Sequence, residues 1–392
     1  MIHIFKGDFL NVLWYYAIAF MIIWVLAILF RKRLKIDITG PLLMRRTQRL
    51  RDFIDSVANR SPRIWRWAMN IGLPVAFFFM ALILYLLLDT LPTTFSNPQV
   101  SLILPGVDIP GSPLFIPLGY GIIALMTVLV VHEFGHGIIS RVEGVKIKSI
   151  GVLLLAVLPG AFVEPDEDDI EKSKRISKLR IYAAGSIFNL SLAAIALLLT
   201  FIISSLVIAP AFHTDGVGIS SVVPNSPADG ILTQGMVIQS INGVQVADLN
   251  NYVLNNTKVG ENMTFQTNQG TYTIKAGVSP NNSSRGYIGI RSQAHLVVDN
   301  NVAKTFGYQI PWFIYSLNDL FYWIFLLNFA VGTFNLLPMK PLDGGLLLEE
   351  LLGYKLSENK VQKIVNPLSY ILIAIIVVII VYSLGRGISL LF

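Results

Sequence analysis

A chain of 392 residues that is 54% hydrophobic and only 14% charged, with a mean hydropathy of +0.62, is too apolar for an ordinary soluble protein and reads as a multi-pass membrane protein. Its formal charge of +6 does not point to nucleic acid, because the basic residues cluster beside apolar spans instead of alternating with aromatics. With no cysteine in the chain, disulfides and thiolate metal sites are excluded, so any metal must be held by His, Asp or Glu.

A helix needs about 20 apolar residues to cross the hydrocarbon core, and six stretches qualify, near residues 10–30, 71–89, 119–140, 180–208, 310–336 and 366–390. The first is followed by RKRLK and not by a small-residue cleavage site, so it is expected to be a retained anchor. Residues 31–66 hold eleven Lys and Arg against three Asp, whereas residues 89–118 hold no Lys or Arg. By the positive-inside rule the first loop is cytosolic. Alternation then puts the N-terminus and residues 209–309 outside, and residues 141–178 and 340–363 in the cytosol. Within the basic loop, RRTQRLRDFIDSV reads as an amphipathic helix suited to anionic headgroups.

Two apolar stretches are not expected to span. SLILPGVDIPGSPLFIPLG, residues 101–119, is broken by four prolines, and GVLLLAVLPG, residues 151–160, offers seven apolar residues before Pro159 and Gly160. Backbone at membrane depth must be hydrogen-bonded or face a wet cavity, so both read as re-entrant or interfacial strands and hairpins. The acidic run EPDEDDIEKSK, residues 164–174, reads as a solvated cytosolic turn. Residues 209–309 turn polar, and the short runs GVGISSVV, GMVIQSI, MTFQT, TYTIKAG and GYIGIRS between turn signals predict a small β-rich domain. Sequons at Asn255, Asn262, Asn281 and Asn282 fit an extracytosolic location. Asp319 falls in the fifth span, at the outer interface or facing an interior cavity.

The expected fold is therefore an α-helical polytopic membrane protein with membrane-associated β-hairpin segments and an inserted β-rich domain. Its parts are an N-terminal transmembrane pair with a basic loop (1–90), the first part of a membrane core (91–209), the extracytosolic domain (210–298), and the rest of the core with the last span (299–392).

The third span contains VLVVHEFGHG, residues 128–137. His132 and His136, four apart, share one face of a helix. That spacing suits two ligands of one Zn²⁺, with Glu133 beside them to act on a metal-activated water. Ionisable groups inside a span are costly and point to function. A catalytic zinc takes three protein ligands and keeps a fourth position open. By the topology above, His3, His213 and His295 lie outside, whereas Asp343 in NLLPMKPLDGG stands at the cytosolic end of the fifth span, at similar depth. A plain turn is the ordinary use of Asp beside Gly, but the matching depth favours a ligand.

HExxH inside an apolar span, a distant NxxPxxxxDG at Asn335, Pro338, Asp343 and Gly344, and a β domain between them resemble the site-2 protease family of intramembrane zinc metalloproteases. The resemblance covers nearly the whole chain from the second span onward. It implies one Zn²⁺ per chain held by His132, His136 and Asp343, with Glu133 as general base. The family's Gly-x-x-x-Asn pattern, often written with Pro after the Gly, is met by AAGSIFN: Gly185 and Asn189 match, and Ser186 replaces the proline. Ser186 restores a backbone donor and should straighten the helix. Asn189 is expected to bind a substrate carbonyl or oxyanion, with interhelical hydrogen bonding as the plainer use.

VVPNSPADGILTQGMVIQSINGVQV resembles a PDZ domain of the type found in this family. Gly286, Tyr287, Ile288, Gly289 and Ile290 resemble its carboxylate-binding loop, where backbone amides catch a peptide C-terminus and a strand joins the sheet edge. A size filter for bulky ectodomains, or a spacer without ligand, are the other readings. The implied activity is hydrolysis of peptide bonds within or near transmembrane segments of membrane-protein substrates. A helical substrate must first unwind, and GVLLLAVLPGAFVEP is expected to offer it a strand edge. The rival is a membrane-anchored PDZ receptor with a structural metal; a transporter is disfavoured by the lack of an inverted repeat.

Overall fold

The computed structural model describes residues 6–48, 50–94, 105–107, 114–246, 257–279 and 282–389. Among them, five helices are long and apolar enough to cross a membrane: Pro62–Pro92, Leu118–Val142, Arg175–Ala211, Gln309–Phe334 and Glu358–Ser383. The first expected span lies in helix α1 (Lys6–Leu29), whose apolar stretch Trp14–Leu29 is shorter than these. By contact density the chain separates into two compact units, residues 4–200 with 319–392 and residues 201–318.

After α1 and a single helical turn α2 (Arg31–Leu34) come strands β1 (Ile36–Thr39) and β2 (Leu42–Thr47), then α3 (Arg51–Arg60), α4 (Pro62–Thr94) and α5 (Leu118–Val142). Strands β3 (Ile147–Leu155) and β4 (Leu158–Pro165) follow, then α6 (Glu167–Lys172) and α7 (Arg175–Ile203). The four strands form one antiparallel sheet in the order β1-β2-β3-β4. The short apolar stretch at 151–160 is thus a hairpin, as its length implied. The companion reading of residues 101–119 lies largely outside the described residues.

RRTQRLRDFIDSV is not one amphipathic helix. Arg45, Arg46 and Thr47 end β2, and the helical part is α3. Ile54 and Ala58 on α3 are fully buried, Ile54 against Gly137 of α5. Ile54 and Ala58 are thus covered by protein, whereas Phe53 of the same helix is exposed. The acidic run also departs from a plain turn: Asp166 caps α6 by accepting the Asp169 N–H at 3.1 Å. That bond holds the Asp166 carboxyl below the usual carboxylate range.

A single π-helical turn (Ser204–Ile208) and α8 (Ala209–Ala211) lead into the smaller unit. Its strands are β5 (Phe212–Val222), β6 (Val237–Ile241), β7 (Val244–Gln245), β8 (Asn262–Thr267), β9 (Gly270–Lys275), β10 (Gly277–Ser279), β11 (Asn282–Tyr287) and β12 (Ile290–Val298). The main sheet runs β12-β5-β6-β8-β9, with β7 on β6, and β10 pairs with β11. Strand β8 shows why it forms: Met263, Phe265 and Thr267 are buried and Asn262, Thr264 and Gln266 exposed, the period of two that packs one sheet face. Val217, Ile219, Leu232, Ile238, Phe265 and Ile274 share that core. The sequence read GYIGIRS as one β run, but it joins two strands across a turn. Of the sequons, Asn262 and Asn282 begin strands, and Asn255 and Asn281 lie outside the described residues. Helix α9 (Asn300–Phe306) follows, capped by Asp299.

The chain closes with α10 (Gln309–Phe334), α11 (Asp343–Leu352) and α12 (Glu358–Ser389). Helix α7 buries a run of small residues, among them Ala183, Ala184, Gly185, Ser186, Ala193 and Ala196. Small residues let membrane helices approach closely. At Gly135 of α5 even a methyl group would come within 2.8 Å of the Ala184 carbonyl oxygen. At the ends of α4, α5 and α7, Glu143 accepts from Arg66 at 3.2 Å, Arg180 at 2.9 Å and Ser177 at 2.5 Å.

Candidate metal centre

Helix α5 places the His132 and His136 rings one turn apart, with centroids 4.8 Å from each other. Their Nε2 atoms are 3.2 Å apart, and Asp343 Oδ2 lies 3.4 Å from each. Ligands about 2.0–2.1 Å from zinc at tetrahedral angles sit about 3.3 Å from one another. The three atoms therefore form one face of a zinc-sized tetrahedron. Two imidazoles and a carboxylate, each only 13–15% exposed, suit Zn²⁺ and other divalent ions. Among the described residues this is the one His/Asp/Glu group of that compactness.

The surrounding shell fixes each member. His136 Nδ1 lies 2.8 Å from the Ile181 carbonyl oxygen; donating there leaves Nε2 as the lone-pair nitrogen. His132 Nδ1 lies 3.3 Å from the amide of Asn189, a residue with no exposed surface whose Oδ1 has no hydrogen-bond partner. Ser186 Oγ donates to Asp343 Oδ2 at 3.2 Å. Glu133 Oε2 accepts the Val163 N–H of β4 at 2.8 Å, so the hairpin holds the carboxylate beside the two histidines.

Glycines make these approaches feasible. A Cβ on Gly185 would lie 2.4 Å from His136 Nε2, 2.6 Å from His132 Cε1 and 2.7 Å from His132 Nδ1. Gly185→Ala is thus expected to push both rings out of register and lower zinc affinity by more than about tenfold, read by chelator competition on purified protein. Unchanged affinity would contradict this geometry. In the second motif, a Cβ on Gly344 would lie 2.2 Å from the Leu336 carbonyl oxygen and one on Gly345 2.5 Å from the Met339 carbonyl carbon. The Gly344 N–H also donates to the Asn335 carbonyl at 2.8 Å. The chain at 335–342 folds back onto the start of α11, which places Asp343 at its first turn.

The structure thus brings together His132, Glu133, His136, Asp343 and Asn189. Sequence reasoning missed Ile181 and Val163, which act through backbone atoms, and the use of the Ser186 hydroxyl. Asp319 is half-buried on α10 and outside the ligand group. Gly286, Tyr287, Ile288, Gly289 and Ile290 lie in the smaller unit, where β11 turns into β12. There Gly289 takes φ +85°, and its carbonyl accepts from Val223 N–H at 2.8 Å and Ser226 Oγ at 3.2 Å. The Ile288 carbonyl accepts from Ala228 N–H at 3.0 Å.

The profile of peptidase family M50 matches residues 120–376. An uncharacterized protein of Methanocaldococcus jannaschii is 31% identical over 297 residues, covering 72% of this chain and 70% of that protein. The membrane-bound transcription factor site-2 protease homolog of Arabidopsis thaliana is 27% identical over 185 residues, which are 47% of this chain and 36% of the plant protein. A Clostridium perfringens protein bearing the name of a zinc metalloprotease is 25% identical over 301 residues, 59% of this chain and 87% of that one. Among solved structures, the PDZ domain of an SdrC-like protein from Listeria monocytogenes aligns with 23% of this chain and 94% of its own length, at 22% identity and a TM-score of 0.18.

Proposed function

The chain belongs to peptidase family M50, and from that premise we propose that it cuts peptide bonds within or near transmembrane segments of membrane-protein substrates. It is a membrane metalloprotease of the site-2 protease type. The observation that carries the proposal is the triangle of two Nε2 atoms and one Oδ2, with Glu133 fixed beside it.

His132, His136 and Asp343 would hold one Zn²⁺ per chain, and such an ion would supply Lewis acidity toward a water and the scissile carbonyl. Glu133, with Oε2 occupied by Val163 N–H, uses its other oxygen to take the proton of the attacking water and pass it to the leaving amine. With His132 presenting Nε2 to the ion, its Nδ1 carries the hydrogen and needs an acceptor. The Asn189 amide, turned so that Oδ1 meets Nδ1–H, satisfies both that donor and its own unpartnered oxygen. Its NH₂ group then remains to donate to a substrate carbonyl or oxyanion.

The substrate has to leave its helix, because helical carbonyls are internally bonded. In the four-stranded sheet β3 is paired on both sides, whereas β4 is an edge. Val163 N–H points away from β3, toward Glu133, so ladder alternation puts the N–H and C=O of Ala161 on that same open side. Pro159 and Pro165 share this parity and have no N–H to offer. With the Val163 N–H donating to Glu133, the usable edge is the N–H and C=O of Ala161 with the C=O of Val163, where an extended substrate exchanges helix bonds for ladder bonds. Ala161→Pro is expected to lower cleavage at least about tenfold without changing bound metal; undiminished cleavage would rule out strand addition. Prolines at 152–155 would break the interior strand β3 and test only the sheet.

The basic loop at residues 31–66 supports a cytosolic active site, six crossings counting α1, and an extracytosolic N-terminus and smaller unit. The PDZ-like smaller unit is assigned to peptide C-termini at Gly286 to Ile290, and its boundaries to residues 210–298. Membrane lipid surrounds the core, and no nucleic-acid partner is assigned. The test is purified protein in liposomes with a single-span substrate. Cleavage should vanish on chelation and return with Zn²⁺; cleavage undiminished by chelator would contradict the metal-dependent reading, and no cleavage even with Zn²⁺ would favour the membrane-anchored PDZ receptor with a structural metal.

A further inference from the structure

Serine and threonine inside a membrane helix ordinarily turn their hydroxyls back onto the carbonyl one turn earlier. Helix α7 shows that default twice: Ser191 donates to Ile187 at 2.7 Å and Thr200 to Ala196 at 2.9 Å. Ser186 does not follow it. Its hydroxyl, on a residue with no exposed surface, reaches across to another helix and donates to Asp343 Oδ2. That oxygen is the one lying 3.4 Å from both histidine Nε2 atoms.

Asp343 is the ligand most in need of guidance. The two histidines share α5, and one is bonded to a backbone carbonyl, whereas Asp343 arrives from α11 after the turn at 335–342. Besides the histidines, Ser186 is the side chain that reaches its carboxylate among the described residues. A carboxylate oxygen has two in-plane lone pairs, so Oδ2 can accept from Ser186 and still ligate an ion. We propose that Ser186 is a positioning residue, holding Asp343 in its metal-facing rotamer and setting how tightly the site binds its ion. This rests on the metal-site reading above.

The experiment measures Zn²⁺ affinity of the purified full chain by chelator competition, together with melting of the metal-free protein. Ser186→Ala should weaken affinity about 10–100-fold, the usual effect of losing an outer-shell partner, without lowering the metal-free melting temperature. Ser186→Thr, which keeps the hydroxyl, should recover most of the affinity. In an Asp343→Ala background, Ser186→Ala should have no further effect. The proposal is overturned if Ser186→Ala binds Zn²⁺ like wild type, or if its loss persists undiminished without the Asp343 carboxylate. It also fails if the loss tracks a drop in metal-free melting that Thr does not restore. A wild-type chain that binds no Zn²⁺ would instead bring down the metal site itself, and this proposal with it.

Discussion

Glu133→Gln is expected to abolish cleavage and leave the metal in place. Gln matches Glu in size, and its amide oxygen can still accept the Val163 N–H that the carboxylate accepts at 2.8 Å. That bond turns the NH₂ group toward the reacting water, so a donor replaces the proton acceptor the chemistry needs. General acid–base assistance is worth about 10²–10⁴-fold. Because this one side chain serves both for water and for the leaving amine, the loss should fall at the upper end of that range. The check is product formation from a single-span substrate, alongside metal content of the same preparation. Substantial cleavage by a fully metallated Glu133→Gln chain would assign the base to another residue.

Asp343→Ala should have the other large effect, through the metal and not the proton. It removes the one ligand that α5 does not supply and leaves two imidazole nitrogens 3.2 Å apart. Two neutral ligands neither offset the charge of a divalent ion nor define a tetrahedral site. Affinity should fall by more than the ~10–100-fold typical of an outer-shell partner, and cleavage should fall with metal occupancy. The substitution also removes the acceptor of Ser186 Oγ, which can then turn back onto the carbonyl one turn earlier. Raising Zn²⁺ should restore little activity, because a metal held by two histidines is free to tilt out of reach of Glu133. Wild-type metal content and cleavage in this variant would remove Asp343 from the site.

What was legible in the sequence was what local spacing encodes. The interval between His132 and His136 puts both on one helix face whatever surrounds them. Asp343 could be matched to them because hydropathy sets the depth of each span, and the seven-residue apolar run before Pro159 was too short to cross. The strands β1 and β2 were not legible. Among the described residues β1 pairs only with β2, whose other partner β3 lies about a hundred residues along the chain, and Arg45 and Arg46 make β2 look like part of a basic helix. Gly185 could be matched to a family pattern, but its reason was hidden: the atoms that forbid a side chain there belong to His132 and His136 on another helix. Val163 and Ile181 act through an N–H and a C=O that every residue but proline carries, so nothing in their side chains announces the role. Ser186 was read for its backbone alone, whereas its hydroxyl proved to be the part in use.

The most direct test of the central claim is zinc K-edge X-ray absorption on the purified chain. Two imidazole nitrogens and carboxylate or water oxygens at about 2.0–2.2 Å, with imidazole multiple scattering that is lost in a His132→Ala, His136→Ala double variant, is the predicted result. A spectrum without imidazole scattering, or one unchanged by removing both histidines, would contradict it.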